Sequence, residues 1–229
     1  MTGAGGWAVE RPHGPAASHH ARDVLDGARR SVWAFGLEGP ALVLGSTQRA
    51  DDVDTEAAAR LGVDVVRRRS GGGAVLLDPG AVAWIDLVVP RGDPLWHDDV
   101  AVAAEWLGEV WVDVLDDLGL PGGRVHRGGL ECGLLGSVVC FAGTGPGEVV
   151  VAGEKVMGLS QRRTRAGARF QCSVPLDWDA GRHAALLAPG IARAAKGVDP
   201  VEAAATVAVR PLIGQRPEDV LEALVARLP

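Results

Sequence analysis

The stretch RRRSGGGAVLLDPG, residues 67–80, limits the fold more than any other part of the chain. Three glycines in a row do not persist inside a helix or strand, because each gives up more backbone freedom on ordering than any other residue. They form a connection, and the runs on either side, VDVVRRR and AVLL, read as strands. Bare backbone lets N–H groups converge on an anion without Cβ obstruction. Side chains alternate along the incoming strand, so Arg67 and Arg69 share one side and Arg68 takes the other. One of those sides is expected to aim guanidinium groups at a phosphate or carboxylate beside the glycines. The loop lacks the Gly-Lys-Ser/Thr ending of a P-loop and the spacing of a dinucleotide fingerprint. The plainer alternative is a flexible turn after a solvated basic strand.

The rest of the chain reads as strands grouped in hairpins with helices around them. ARDVLDGARRSVWAFGLEG begins helical and leads to PALVLGS, an apolar strand ending at Gly45. VDTEAAARLGVDVVRRR is helix, Gly62 stop, then strand. AVLL and AVAWIDLVV flank DPGA, whose Pro and Gly supply a hairpin turn. Between 98 and 118, Val102, Trp106, Leu107, Val110, Trp111, Val114, Leu115 and Leu118 recur at three- and four-residue steps. This is an amphipathic helix closed by Gly119, with its tryptophans in the core. EVVVAGEKVMGLSQRR holds two extended segments around an Ala-Gly turn, and ARFQCSVPL is another strand. DPVEAAATVAV and RPEDVLEALVARL are helices, the first capped by Asp199 with Pro200 in its first turn. Without strict βαβ alternation, the class is α+β: an antiparallel or mixed sheet covered by helices, in one domain over 1–229 with a helical C-terminal segment from about 181.

Composition narrows the function classes. Hydrophobic residues are 47% of the chain and net charge is −6, which supports a sizeable core and argues against non-specific nucleic-acid binding. No run approaches the roughly 18 apolar residues of a membrane span. The first twenty residues lack a basic stretch followed by an apolar one, so no secretory signal is expected. Cys132, Cys140 and Cys172 show neither a disulfide framework nor metal-site spacing. A soluble, reducing, cytoplasmic setting is expected, with no membrane and no nucleic acid as partner.

Lysine is scarce. Of 23 basic residues only Lys155 and Lys196 are lysines, in a chain whose composition favours arginine. Arginine replaces lysine on a surface but not as a compact, mobile point charge. Lys155 lies just after a turn on a strand, with Gly158 leaving room nearby, so it can hold a phosphate or a carbonyl oxygen; an ordinary hairpin lysine is the alternative. Lys196 reads as a charge at a helix C-terminus. Six histidines lack partners at motif spacing and read as surface or capping groups.

In order and spacing, PALVLGSTQ, LGVDVVRRRSGGGAVLLDPG and EVVVAGEKVMGLSQRR resemble the lipoate–protein ligase family, related to biotin protein ligases and octanoyltransferases. The resemblance covers roughly residues 30–180 and implies a catalytic domain like those of biotin and lipoate ligases and class II synthetases, without a separate accessory domain. It implies that Arg68, Ser70, Gly71, Gly72, Gly73, Ala74, Asp78, Gly45, Gln48 and Gly158 embrace an acyl-adenylate and that Lys155 is catalytic. The implied chemistry uses ATP, with Mg2+, to make lipoyl-AMP or octanoyl-AMP, and attaches lipoate or octanoate to a lysine of a lipoyl-domain protein. A separate accessory subunit is possible.

Some positions depart from the family pattern. Leu77-Asp78 stands for His-Asp, Gly80-Ala81 for Gly-Asn, and Gln171-Cys172-Ser173 for His-His-Gly. These departures also admit a non-catalytic acyl- or nucleotide-binding relative. VVCFAGTGPGEVVVAGEK places Cys140 fifteen positions before Lys155, resembling octanoyltransferases that form a thioester without ATP. There Cys140 is the nucleophile, favoured by a neighbouring cation. A small buried hydrophobe is the commoner fate of a free cysteine, and Cys172 is the weaker candidate.

Overall fold

The computed structural model describes residues 6–25 and 27–229. The strands that matter here are β1 (Ala8–Glu10), β2 (Ser31–Ala34), β3 (Ala41–Leu44), β4 (Asp64–Arg67), β5 (Val75–Leu77), β6 (Val82–Pro90), β7 (Gly123–Val125), β8 (Val149–Val151), β9 (Glu154–Arg163) and β10 (Gly167–Pro175). The helices are α1 (Ala16–Ala21), α2 (Thr55–Arg60), α3 (Val102–Asp117), α4 (Ala180–Ala195), α5 (Pro200–Ala205) and α6 (Pro217–Arg227). Seven strands form a mixed sheet in the order β1-β2-β6-β10-β9-β8-β7, parallel only between β1 and β2. A second sheet, β4-β3-β5, pairs β3 in parallel with β4 and antiparallel with β5. The α+β class holds.

Local chemistry accounts for the helices. On α3, Leu107, Trp111, Val114 and Leu115 are fully buried at the predicted steps. The chain leaves this helix through Gly119 at φ +81°. Asp54 caps α2 by accepting from the Ala57 N–H at 2.8 Å, and Asp199 caps α5 from Val201 at 2.8 Å. Apolar stripes on α3 and α6 close over one face of the large sheet, where Leu87, Val156, Phe170 and Val174 are buried. Helices α2, α4 and α5 cover the small sheet. A third cluster, holding Trp33, Phe35, Val43, Val75, Leu77, Trp84 and Phe141, fills the space between the sheets. That junction positions the site.

Two expected elements are corrected. DPGA does reverse the chain, with Ala81 N–H on the Asp78 carbonyl at 3.1 Å and Gly80 at φ +78°, but its arms are not a hairpin. β5 pairs with β3 in the small sheet and β6 with β2 and β10 in the large one. A tight turn fixes direction, whereas pairing follows whichever partner edge buries the strand. The early helix lies at Ala16–Ala21, ahead of its expected start, and Ser31–Ala34 is strand. Asp26, within the expected helix, lies outside the described residues.

Candidate functional site

The glycine loop is wired to its neighbours by backbone contacts. Of the two sides left open by the alternation of the three arginines, Arg68's is the one that faces the glycine loop. Arg68 turns inward and is buried, its guanidinium donating to the carbonyls of Gly71 at 2.7 Å and Gly73 at 3.0 Å. Arg67 donates to the carbonyls of Gly45 and Gln48, each at 2.7 Å, and Arg69 pairs with Asp23 at 2.6 Å. Gln48 accepts from Gly45 N–H at 3.3 Å and donates to the Val138 carbonyl at 3.0 Å, so the partner segment braces the chain leading to Cys140. Ala74 donates to the Val138 carbonyl and accepts from Cys140 N–H, both at 2.8 Å.

Close packing sets the glycine requirement. A Cβ on Gly73 would stand 2.7 Å from the Val139 carbonyl carbon and 2.9 Å from the Cys140 nitrogen, whereas one on Gly71 meets nothing within 4 Å. Gly73→Ala is therefore expected to cost roughly 1–3 kcal/mol and to displace Cys140, because backbone yields poorly to overpacking. Gly71→Ala is expected to stay within about 0.5 kcal/mol of wild type. Urea unfolding of both variants is the check, and equal effects would refute the contact argument.

Cys140 is half-buried, with its Sγ 4.0 Å from the Arg68 guanidinium. It lines a cleft partly open to solvent, with Val75, Leu77, Trp84 and Leu159 as apolar wall. Ser70, Ser160, Gln171 and His20 form a polar chain beside it. Ser70 Oγ lies 3.0 Å from Ser160 Oγ and donates to Gln171 Oε1 at 2.9 Å, while Gln171 Nε2 meets His20 Nδ1 at 3.3 Å. Ser160 had no role in the sequence reading, His20 was expected as a surface or capping group but is buried, and Gln171 figured only as a departure. Residues 20 and 171 meet through the fold, at a separation no local pattern encodes.

Lys155 sits differently from the expectation that amine and glycine loop grip one ligand together. It is buried, and its ammonium donates to the carbonyls of Gly143 at 2.8 Å and Cys140 at 3.1 Å and pairs with Glu148 Oε2 at 2.7 Å. It borders a separate, open cleft with Glu131, Cys132, Gly143 and Thr206. The loop reaches Cys140 from the thiol side and Lys155 reaches it from the carbonyl side. Glu148 went unread in the sequence; its spacing of seven from Lys155 has no helical or strand meaning across a turn.

The remaining candidates separate. Asp78 is paired with Arg182 in an adjoining cavity with Trp178 and His183. Gly158 borders the Cys140 cavity, where a Cβ would come within 3.3 Å of the Phe141 ring. Cys172 is fully buried, and burial pushes its thiol well above the ordinary range. Among the described residues, no three His, Cys, Asp or Glu side chains gather to hold a metal ion, and no helix is long and apolar enough to cross a membrane.

Buried histidines add a pH dependence. Burial, helped by Arg169 and Arg68, lowers His20 from 6.5 to about 3, and burial lowers His19 and His183 as well. Below pH 6.5 the unfolded chain binds protons that these native histidines refuse, so stability falls with pH. Asp86 acts in the opposite sense, since burial raises its carboxyl to about 6 against the pull of Arg169, Trp84 and Gln171. Its native state gains a proton that the unfolded state binds only nearer pH 3.8. Three histidines against one carboxyl leave a net loss of stability expected between about pH 7.5 and 5.0. Urea unfolding at both pH values measures it; equal stability would sink the assignment.

Comparisons with known proteins bear on the family and the fold. Octanoyltransferase LipM of Kyrpidia tusciae is 32% identical over 149 residues, covering 63% of this chain and 54% of that protein. The chain thus spans about half the length of the curated relatives it matches. A bi-partite lipoate protein ligase of Thermoplasma acidophilum, solved as part of an archaeal lipoylation system with its E2 lipoyl domain, superposes with TM-score 0.71. It is 17% identical, with 96% of this chain and 81% of that one covered. Lipoate-protein ligase A bound with ATP gives 0.68 at 16% identity, covering 99% and 84%. These two likenesses are of fold. The family model of the lipoyl protein ligase A/B catalytic domain matches residues 21–228, nearly the whole chain, and the protein belongs to that family.

Proposed function

We propose that this chain transfers an octanoyl group from a carrier thioester to a lysine of a lipoyl-domain protein, through a thioester on Cys140. One observation carries the reading: a half-buried thiol stands 4.0 Å from a fixed guanidinium, in a cavity walled by Val75, Leu77, Trp84 and Leu159. A thiol is the most nucleophilic of the uncharged side chains, and an apolar wall suits a saturated chain. The likeness to an octanoyltransferase supports the same chemistry. Cys140 Sγ attacks the donor carbonyl, and the carrier leaves as a thiol with the proton. The acceptor amine then attacks the acyl-enzyme, forming an amide and returning Cys140 to its thiol. No oxidant or nucleotide enters this balance.

The second reading is ATP-dependent ligation of lipoate, supported by the ordered match of glycine loop and Lys155. It asks Lys155 to exchange protein partners that occupy all three of its donors for an adenylate. It also leaves Asp78, one of the expected contacts, paired with Arg182. Mg2+ in that reading arrives with ATP. We take the chain as a single catalytic domain with its helical C-terminal segment; a separate accessory chain belongs to the ATP-dependent reading, after the bi-partite ligase.

The test incubates the protein with octanoyl-loaded acyl carrier protein and an apo lipoyl domain, and in parallel with lipoate and ATP. Acceptor mass gain in the first mixture without ATP, passing through an acyl-protein adduct, is expected. Gain only in the second mixture overturns the Cys140 route in favour of ligation. Ligand retention without turnover in either would mark a non-catalytic relative.

A further inference from the structure

The buried pair Glu148–Lys155 lies behind Cys140, away from the cavity that the thiol faces. Lys155 spends its three donors on Glu148, the Gly143 carbonyl and the Cys140 carbonyl. Glu148 is buried too, and its carboxylate also takes the N–H of Gly145 at 2.7 Å and of Leu159 at 2.8 Å. One carboxylate therefore joins the 143–148 turn, strand β9 and the ammonium. The turn is anchored from outside: Gly147, at φ +80°, packs where a Cβ would lie 2.6 Å from Ala104 of α3. Gly143 pairs with Cys132, so the carbonyl that Lys155 holds is fixed from its other side.

A lysine chain has four rotatable bonds and keeps one direction only when its donors are held. Glu148 supplies the single anion among those partners. The two neutral carbonyls alone do not offset a buried ammonium. We propose that Glu148 is the positioning residue of the acyl transfer: through Lys155 it fixes the Cys140 main chain so that Sγ faces Arg68 and the apolar cavity. The inference rests on the Cys140 route. Lys155 then serves the reaction as a clamp on the nucleophile's backbone, which the expectation of a phosphate contact did not include. Glu148 touches no reacting atom, so its effect must pass through Lys155.

A double-mutant cycle tests it, using wild type, Glu148→Gln, Lys155→Met and the double variant. Acyl-enzyme formation from octanoyl-loaded acyl carrier protein is followed by mass spectrometry, with thermal melting alongside. Each single variant is expected to lose about 100-fold in kcat, with donor KM within about threefold, and the double variant to be no slower than Lys155→Met. Losses that multiply in the double variant, or Glu148→Gln within about threefold of wild-type kcat, overturn the proposal. Should Glu148→Gln not fold, Glu148→Asp keeps the charge one methylene short, and wild-type turnover in that variant overturns it equally.

An activity-independent arm separates this proposal from the transfer reading. Iodoacetamide labelling of Cys140, with exposed Cys132 as internal reference, is expected to shift by about fivefold or more when Glu148 is changed to Gln or Asp. A wild type that forms no acyl-enzyme sinks the transfer reading, while an unchanged Cys140:Cys132 labelling ratio sinks the positioning role alone.

Discussion

Cys140→Ser is expected to cut octanoyl transfer by about 1,000-fold or more and to leave the fold in place. In barrier terms that is about 4 kcal/mol. A serine hydroxyl is a far weaker nucleophile than a thiol at neutral pH and has no base beside it here. Structure argues that stability is spared. Cys140 is only half-buried, its main chain keeps the bonds to Ala74 and Lys155, and thiol and hydroxyl differ little in size. A stability change within about 1 kcal/mol is the matching expectation. Cys132→Ser and Cys172→Ser serve as controls: the first is exposed and borders the lysine's cavity, and the second is buried with its thiol held neutral. Transfer within about tenfold of wild type in Cys140→Ser would move the nucleophile elsewhere. Loss on Lys155→Ala with Cys140→Ser intact would instead point to the adenylate route.

The same contrast shows what a sequence can reveal. Helix α3 was readable because its core face repeats every three or four residues, and the strands around Ala152-Gly153 because the turn and the alternation agree. The DPGA turn was readable as a reversal, yet not as a bridge between two sheets, since nothing local says whether β5 meets β6 or β3. At the site, the glycine run, Lys155 and Cys140 stood out by residue type and rarity. Their arrangement did not, and it changes their meaning: Arg68 donates to the loop's own carbonyls, and Lys155 holds a carbonyl behind the thiol. Glu148, His20 and Ser160 were invisible because each acts through a partner that only folding supplies. Gln171 shows the intermediate case, a departure from the family pattern that proves to hold Ser70.

The largest stability effect is expected at Asp86, beneath the Cys140 cavity. Asp86 and Arg169 are fully buried on adjacent strands β6 and β10, joined at 2.5 Å. Arg169 donates its other nitrogens to the carbonyls of His19, at 2.9 Å, and Arg22, while the rings of Trp33 and Phe35 lie 5.3 and 5.5 Å from its guanidinium carbon. Asp86 also accepts from the Trp84 indole at 2.8 Å. Removing the carboxylate leaves a buried guanidinium with carbonyls and ring faces but no counter-charge, and strands an indole N–H. Asp86→Ala is therefore expected to cost about 3–5 kcal/mol, or roughly 6–20 °C in Tm. The double variant Asp86→Leu, Arg169→Met removes both charges and is expected to recover a large part of that loss, since the penalty belongs to the unpaired ion more than to the missing contact. Thermal or urea unfolding of the three proteins decides it. A double variant less stable than Asp86→Ala would mean that Arg169's hold on the carbonyls of α1 and Arg22 outweighs its charge. The wall that carries His20 would then depend on that anchor.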